Sequence, residues 1–286
     1  MKILVTGRDG QLARALAETG PLGGHSMVCL GRGDLDIRDP RSVSRAVEGV
    51  RPDLVVNAAA YTAVDAAETD EAEAFAVNGQ GAGHVAAEAA RAGIALIHIS
   101  TDYVFDGRAA APYPTDATPA PLNAYGRSKL EGERRVAAAN PRHVILRTAW
   151  VYSPWGRNFL TTMLRRAAQG GEVRVVDDQT GSPTSALDLA RAILAIAESN
   201  AQHPGIFHFT NGGQTTWHGL AAAIFEELAR RGRPAPRLSA IPSAAFPAPA
   251  RRPTWSVLDL SALTRGYGIR ARPWREALTE VMERAT

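Results

Sequence analysis

Tyr125 and Lys129, in "NAYGRSKLEGE", stand four positions apart where the pattern predicts the start of a helix: a polar Asn123 followed by helix-forming residues. At i and i+4 the two side chains leave one face of a helix a turn apart, so a phenol and an ammonium can reach a common ligand. The same spacing is also frequent on exposed helices, where it only faces water. Its neighbours in the chain must decide between the two.

A second chemical signal lies at the N-terminus. "VTGRDGQLARAL" sets Gly7 and Gly10 between an apolar run and a helical pattern opened by Gln11 and Leu12. A dinucleotide fold needs glycines there. Gly7 allows the tight turn, and Gly10 lets backbone N–H groups at the helix N-terminus approach a pyrophosphate. The third glycine position of that pattern is Ala13, whose methyl still permits close helix–strand packing. After the second apolar run, "CLGRGDLD" has Gly31 where an acid would bind the adenosine ribose, followed by Arg32. Loss of that carboxylate removes repulsion toward a 2′-phosphate, and a guanidinium can pair with one, which points to NADPH with NADH still admissible. Alternatively Arg32 projects into water. Asp36 and Ile37, just beyond, are candidates to hold the adenine.

These residues need a scaffold. The runs at 2–6, 27–30, 53–58, 95–100 and 143–148 are short and rich in Val, Ile and Leu, as strands covered on both faces of a parallel sheet are. Helical patterns at 11–18, 41–50, 81–92 and 124–139 lie between them. The alternation predicts an α/β fold with a Rossmann-like doubly wound parallel sheet and right-handed crossovers. Beyond about Gly170 the elements become sparser, with helical patterns at 187–198, 217–231 and 274–284 and a Pro-rich stretch at 240–255 that predicts an ordered loop or extended arm. We expect a nucleotide-binding domain at 1–170 and a smaller, partly interleaved substrate region at 171–286.

Composition narrows the partners. The 286 residues carry 32 Lys and Arg against 29 Asp and Glu, a net charge of +3, with no basic run or aromatic–basic alternation that would suit nucleic acid. A phosphorylated small molecule is the more economical anionic partner. One cysteine, Cys29, excludes an internal disulfide and fits a reducing compartment; in "MVCL" it reads as a small packed hydrophobe. No run approaches membrane-spanning length and no targeting segment is legible, so the expected location is cytoplasmic. No metal-ligand cluster or Ser-His-Asp arrangement is visible. His98 in "LIHIS" reads as a satisfied core histidine, and Asp65 and Glu68 as a solvated helix start.

Taken in order, "GRDGQL", "NAAAYTAVDAAE", "STDYVFDG", "YGRSK" and "RTAWVY", with "VVDDQTGSPTSA", "TTWHG" and "PAPARRPTWSVLD" further on, resemble the extended short-chain dehydrogenase/reductase superfamily and, within it, the dTDP-4-dehydrorhamnose reductases. The likeness covers nearly the whole chain. It implies reduction of the 4-keto group of a dTDP-4-keto-6-deoxysugar, with Tyr125 as proton donor. It also implies Lys129 as the cation that favours the phenolate and holds the nicotinamide ribose, and Thr101 as the hydroxyl at the keto oxygen. Asp102 and Trp150 match sugar-nucleotide contacts, and Ala60, Tyr61 and Thr62 match cofactor contacts. Some members bind Mg²⁺ through glutamates at a subunit interface; Ala15 and Leu187 stand at two such positions, which argues against that site. A homodimer is expected. The alternatives are a related deoxysugar reductase of an antibiotic pathway and a non-catalytic, reductase-like regulatory subunit. A 4,6-dehydratase is disfavoured, because Tyr103 follows Asp102 where that chemistry needs a second acid.

Overall fold

Alternate residues of each strand are buried in opposite directions, which is why these runs contain so few polar positions. The computed structural model describes residues 1–199 and 203–285. Strands β1 (Lys2–Thr6), β2 (Ser26–Leu30), β3 (Leu54–Asn57), β4 (Ala95–Thr101) and β5 (His143–Thr148) are joined by helices α1 (Gln11–Thr19), α2 (Pro40–Val50), α3 (Glu71–Phe75), α4 (Ala82–Arg91) and α5 (Ala124–Ala139). Then come β6 (Val151–Tyr152), α6 (Phe159–Gln169), β7 (Glu172–Val176), β8 (Thr180–Gly181), β9 (Thr184–Ser185), α7 (Ala186–Glu198) and β10 (Gly205–His208). The chain closes with β11 (Thr215–Thr216), α8 (Trp217–Arg230), β12 (Arg237–Ile241), α9 (Ser261–Tyr267) and α10 (Trp274–Ala285).

The main sheet has six parallel strands in the order β10-β5-β4-β3-β1-β2. Ile3, Val5, Val56, Ile97 and Leu146 face the core shared with α1, α6, α7, α8 and α10. Leu4, Val55, Leu96 and Ile145 face the core shared with α2, α4 and α5. The chain leaves β1 toward β2 and returns toward β3, so the order reverses beside β1, and the ligand crevice of such a sheet opens at the carboxyl ends of those strands.

Three expectations are modified. The sheet takes a sixth strand, β10, from the C-terminal half, in addition to the five runs that the sequence marks as strands. The helical pattern expected at 81–92 belongs to a longer helical stretch, α3 to α4, interrupted by a π turn at Ala76–Gly81. At that turn α5 comes so close that a Cβ on Gly132 would lie 2.1 Å from the Asn78 carbonyl oxygen. The Pro-rich stretch does contain regular structure at its start. Ile241 ends β12, which runs parallel to β7, and Ser243–Ala245 makes a single 3₁₀ turn before the arm extends. Ala15 and Leu187 are fully buried on α1 and α7, two helices that pack together.

Candidate active site

Helix α5 is fastened at its start by three chain segments. Asn123 caps it, its Oδ1 accepting from the Gly126 N–H at 2.8 Å while its Nδ2 donates to the Arg251 carbonyl at 2.8 Å. The Glu68 carboxylate accepts from the Ala124 N–H at 2.7 Å, satisfying one of the free donors of the first turn. Gly126 permits the closest contact: a Cβ there would stand 2.2 Å from the Tyr103 carbonyl oxygen. The first turn of α5 is thereby pressed against the 101–103 loop that follows β4. Asp65 also departs from a plain solvated position, since it accepts from the Ala250 N–H at 3.3 Å and pairs with Arg252 at 2.8 Å, tying down the Pro-rich arm.

This packing brings Thr101, Asp102, Tyr125 and Lys129 together. Tyr125 stands edge-on to Tyr103, with ring centroids 5.8 Å apart. Burial pushes its phenol up to about 12; a hydrogen bond with Thr101 opposes the rise and the Asp102 charge adds to it. The Thr101 hydroxyl donates to Asp102 Oδ1 at 3.0 Å and accepts from the Tyr103 N–H at 3.2 Å. Asp102 is buried, and its Oδ2 has no partner in hydrogen-bond geometry, although the Ser256 hydroxyl lies beside it. Burial pushes this carboxyl up to about 6. Lys129 is buried as well, and its Nζ donates to the Ile99 carbonyl at 2.6 Å. Burial brings the ammonium down to about 8, against the opposing pull of Glu133. The groups acting on the Tyr125 phenol are Thr101 and Asp102, while the Lys129 ammonium is engaged by a main-chain carbonyl. His98 is buried and held neutral; its Nδ1 meets the Asn57 amide at 3.1 Å, but its Nε2 lacks a partner, so it is only half satisfied.

The glycine loop has the shape of an anion cradle. Gly7 adopts φ +79°, and a Cβ on it would lie 2.9 Å from Ala59 Cα, so only glycine fits between β1 and the chain after β3. Gly10 caps α1 without a side-chain bond, and the first turn of α1 contains no acid. Its N–H groups therefore face the crevice without a competing carboxylate, which suits a diphosphate. Thr6 ties the two loops together, donating to Asn57 Oδ1 at 2.7 Å and accepting from the Ala59 N–H at 2.9 Å. Gln11 reaches across to Ser153, whose hydroxyl donates to its Oε1 at 2.8 Å. The Leu12 side chain is buried in the core, which leaves only its backbone for a ligand. The segment holding Ala60, Tyr61 and Thr62 is fixed through Tyr61, whose N–H and C=O are both bonded by the Asn78 amide at 2.8 and 3.0 Å. Asn78 also donates to Ser128, between Tyr125 and Lys129, linking this segment to α5.

At the end of β2 the cations are paired with acids. Arg32 is exposed and lies 3.2 Å from Glu73. Arg38 chelates Asp36 and also reaches Glu73, and its bonds bring Asp36 down to about 2. The Asp36 carboxylate is thus already held by a guanidinium, while the Ile37 side chain is buried against the π turn. Arg8, between the two loop glycines, passes over Gly31 and pairs with Asp34 at 2.6 Å. It is a second guanidinium at this corner, and its place inside "GRDG" was the available signal. Trp150, which the resemblance matches to a sugar-nucleotide contact, is half-buried with φ +49°, a left-handed conformation that is costly for a bulky residue. Its ring stacks on Trp217 at 3.6 Å, and a Cβ on Gly181 would come within 2.6 Å of it. Among the described residues, no group of three or more His, Cys, Asp or Glu is placed to hold a metal ion, and no helix is long and apolar enough to cross a membrane.

The model of the RmlD substrate binding domain family matches residues 1–286. The chain is 44% identical to a dTDP-4-dehydrorhamnose reductase of Sinorhizobium fredii, over 97% of this chain and 95% of that one. It is 45% identical to a probable dTDP-4,6-dihydroxy-2-methyloxan-3-one 4-ketoreductase of Streptomyces antibioticus, over 98% and 94%. Among solved structures, the dTDP-4-dehydrorhamnose reductase of Bacillus anthracis in complex with NADP is 32% identical and superposes with a TM-score of 0.93 over 99% of both chains.

Proposed function

The chain belongs to the RmlD substrate binding domain family, and from that premise we propose that it reduces dTDP-4-dehydro-L-rhamnose to dTDP-L-rhamnose with NADPH. The observation that carries this reading is the juxtaposition of the Thr101 hydroxyl and the Tyr125 phenol, with Lys129 on the same face of α5. The glycine cradle fits a dinucleotide diphosphate, and Arg8 and Arg32 would bind the 2′-phosphate of NADPH, which favours it over NADH. Gly7, Gly10 and Gln11, the Leu12 backbone and the 60–62 segment would hold the rest of the cofactor. Asp36 would serve through its backbone, since its carboxylate is taken by Arg38.

When bound, the reduced nicotinamide supplies hydride to C4 of the sugar. The protein supplies the matching proton and stabilises the oxygen that receives it. Tyr125, held protonated at neutral pH, donates its phenolic proton to the C4 oxygen, so ketone plus hydride plus proton gives the alcohol. Thr101 hydrogen-bonds the same oxygen and steadies the charge that develops on it. Lys129 compensates the phenolate left on Tyr125 and, released from Ile99, holds the nicotinamide ribose. Asp102 and Trp150 would contact the sugar nucleotide. With Ala15 and Leu187 buried, those two positions offer no ligand to Mg²⁺.

The same reading divides the chain into a cofactor-binding part at 1–170 and a substrate region at 171–286, and takes the active form as a cytoplasmic homodimer. The Streptomyces relative favours one second reading, a 4-ketoreductase acting on another dTDP-deoxysugar. Following NADPH and NADH oxidation with a panel of dTDP- and UDP-4-keto-6-deoxysugars, with products resolved by NMR, separates the two. Absence of turnover with every sugar would contradict both and leave a non-catalytic subunit.

A further inference from the structure

The stripe that carries Tyr125 and Lys129 continues one turn further along α5 to Glu133, and all three positions dock on consecutive residues of β4. Tyr125 meets the Thr101 hydroxyl and Lys129 meets the Ile99 carbonyl at 2.6 Å. Glu133 takes the residue between them, its Oε1 accepting from the Ser100 hydroxyl at 2.5 Å. The same carboxylate receives a two-pronged guanidinium from β5, Arg147 Nε at 2.8 Å and Nη2 at 2.7 Å. Ser100 and Arg147 are paired in the sheet, so the carboxylate grips both strands at one level. The side chains of the ion pair are only 1% and 3% exposed. Burying both charges costs about as much as their attraction returns, and a well-packed apolar pair would serve stability as well or better. The pair therefore needs a reason other than holding the fold together.

We propose that Glu133, fixed by Ser100 and Arg147, is a positioning residue that keeps the Lys129 ammonium charged and α5 in register with Thr101 for proton transfer. The inference rests on the roles of Tyr125 and Lys129 given above. Electrostatics at the site agree with it. Among the described residues, the charged group that supports Lys129 against burial is Glu133 on α5. His98 on β4 is held neutral by burial, with Lys129 and His143 both opposing its protonation. On the far side of Glu133 stands Arg147, whose guanidinium lies over the Phe105 ring. Beyond it, His208 on β10 is held at about 3 by burial and by Arg147, with Asp259 pulling the other way, so it adds no charge at neutral pH.

The test compares Glu133→Gln and the double variant Glu133→Met/Arg147→Met with the unaltered protein. Melting temperature and the pH dependence of kcat from pH 6 to 9.5 are read at saturating NADPH and substrate. The double variant leaves no orphaned charge, so its melting temperature should stay near the original, yet in both variants the alkaline limb of kcat should move down by about one pH unit. Turnover at pH 8 then falls several-fold, while that at pH 6 changes little. A double variant that melts normally and keeps the original limb overturns the proposal. If the double variant does not fold, Glu133→Asp, which keeps the charge on a shorter stem, decides: a limb nearer the original than that of Glu133→Gln supports the proposal, and identical limbs overturn it. Tyr125→Phe is measured beside them. Near-native turnover there removes the underlying reading, whereas a large loss there with unmoved limbs removes only this inference.

Discussion

Replacing Asp102 with Asn deletes a buried charge while keeping the acceptor that Thr101 uses at 3.0 Å. The carboxyl stands at about 6 instead of 3.8, chiefly because burial disfavours its charged form. A rise of about two pH units at about 1.4 kcal/mol each means that ionised Asp102 costs about 3 kcal/mol of stability above pH 6. The sign follows from proton counting. Between pH 3.8 and 6 the folded protein holds this proton longer than the unfolded chain does, so stability falls as pH rises through that window and is flat beyond it. The Asn variant lacks this loss, and its new N–H₂ can donate to the Ser256 hydroxyl beside it. We therefore expect Asp102→Asn to be more stable than the unaltered protein by about 2–3 kcal/mol at pH 8, with the gap shrinking toward pH 4. Turnover should fall in the same variant if the carboxylate contacts the sugar. Urea titrations of both proteins at pH 4.5, 6 and 8, analysed with a common slope, measure the gap. A gap that does not change with pH, or a variant less stable at pH 8, would refute the reasoning.

Arg8→Ala and Arg32→Ala should each raise KM for NADPH and leave that for NADH nearly unchanged, and steady-state kinetics with both cofactors check this; a preference for NADH in the unaltered protein would contradict it. Gly126→Ala puts a methyl 2.2 Å from the Tyr103 carbonyl oxygen, and thermal melting should show a loss of about 2 kcal/mol or more, with turnover falling further as α5 shifts. Trp217→Leu should cost about 1 kcal/mol of stacking and abolish the exciton signal of two indoles 3.6 Å apart in the circular dichroism spectrum, with KM for the sugar nucleotide rising as Trp150 loses its support.

The parallel strands and their covering helices were legible because a two-sided sheet leaves uninterrupted apolar runs, and five such runs stand between residues 2 and 148. β10 was not, because "GIFH" is short, is bounded by turn residues and ends in a histidine that is buried beside Arg147. The π turn was not legible, because the glycines and asparagine of "AVNGQG" weaken a regular helix without specifying how it departs, and its widening answers to the close approach of Gly132. Within the site, the residues of "YGRSK" and "STDY" were legible from their types and order, and from the resemblance those motifs carry. Their supports were not. Glu68, Asn78 and Arg252 act through partners 56, 50 and 187 positions away, and spacing along the chain does not reveal such pairs. The pairings of Arg8 and Arg38 were hidden for a related reason: which acid each guanidinium takes depends on how the loops after β1 and β2 lie against each other.

The most direct test of the proposed chemistry is single-turnover hydride transfer by Tyr125→Phe, followed by the loss of NADPH absorbance after rapid mixing with dTDP-4-dehydro-L-rhamnose. The change removes one hydroxyl and keeps the ring edge-on to Tyr103, so melting temperature and NADPH binding should hold. The rate should drop by roughly 10²–10⁴-fold, the usual contribution of a positioned general acid. A variant that transfers hydride at near the original rate would mean that Tyr125 is not the proton donor.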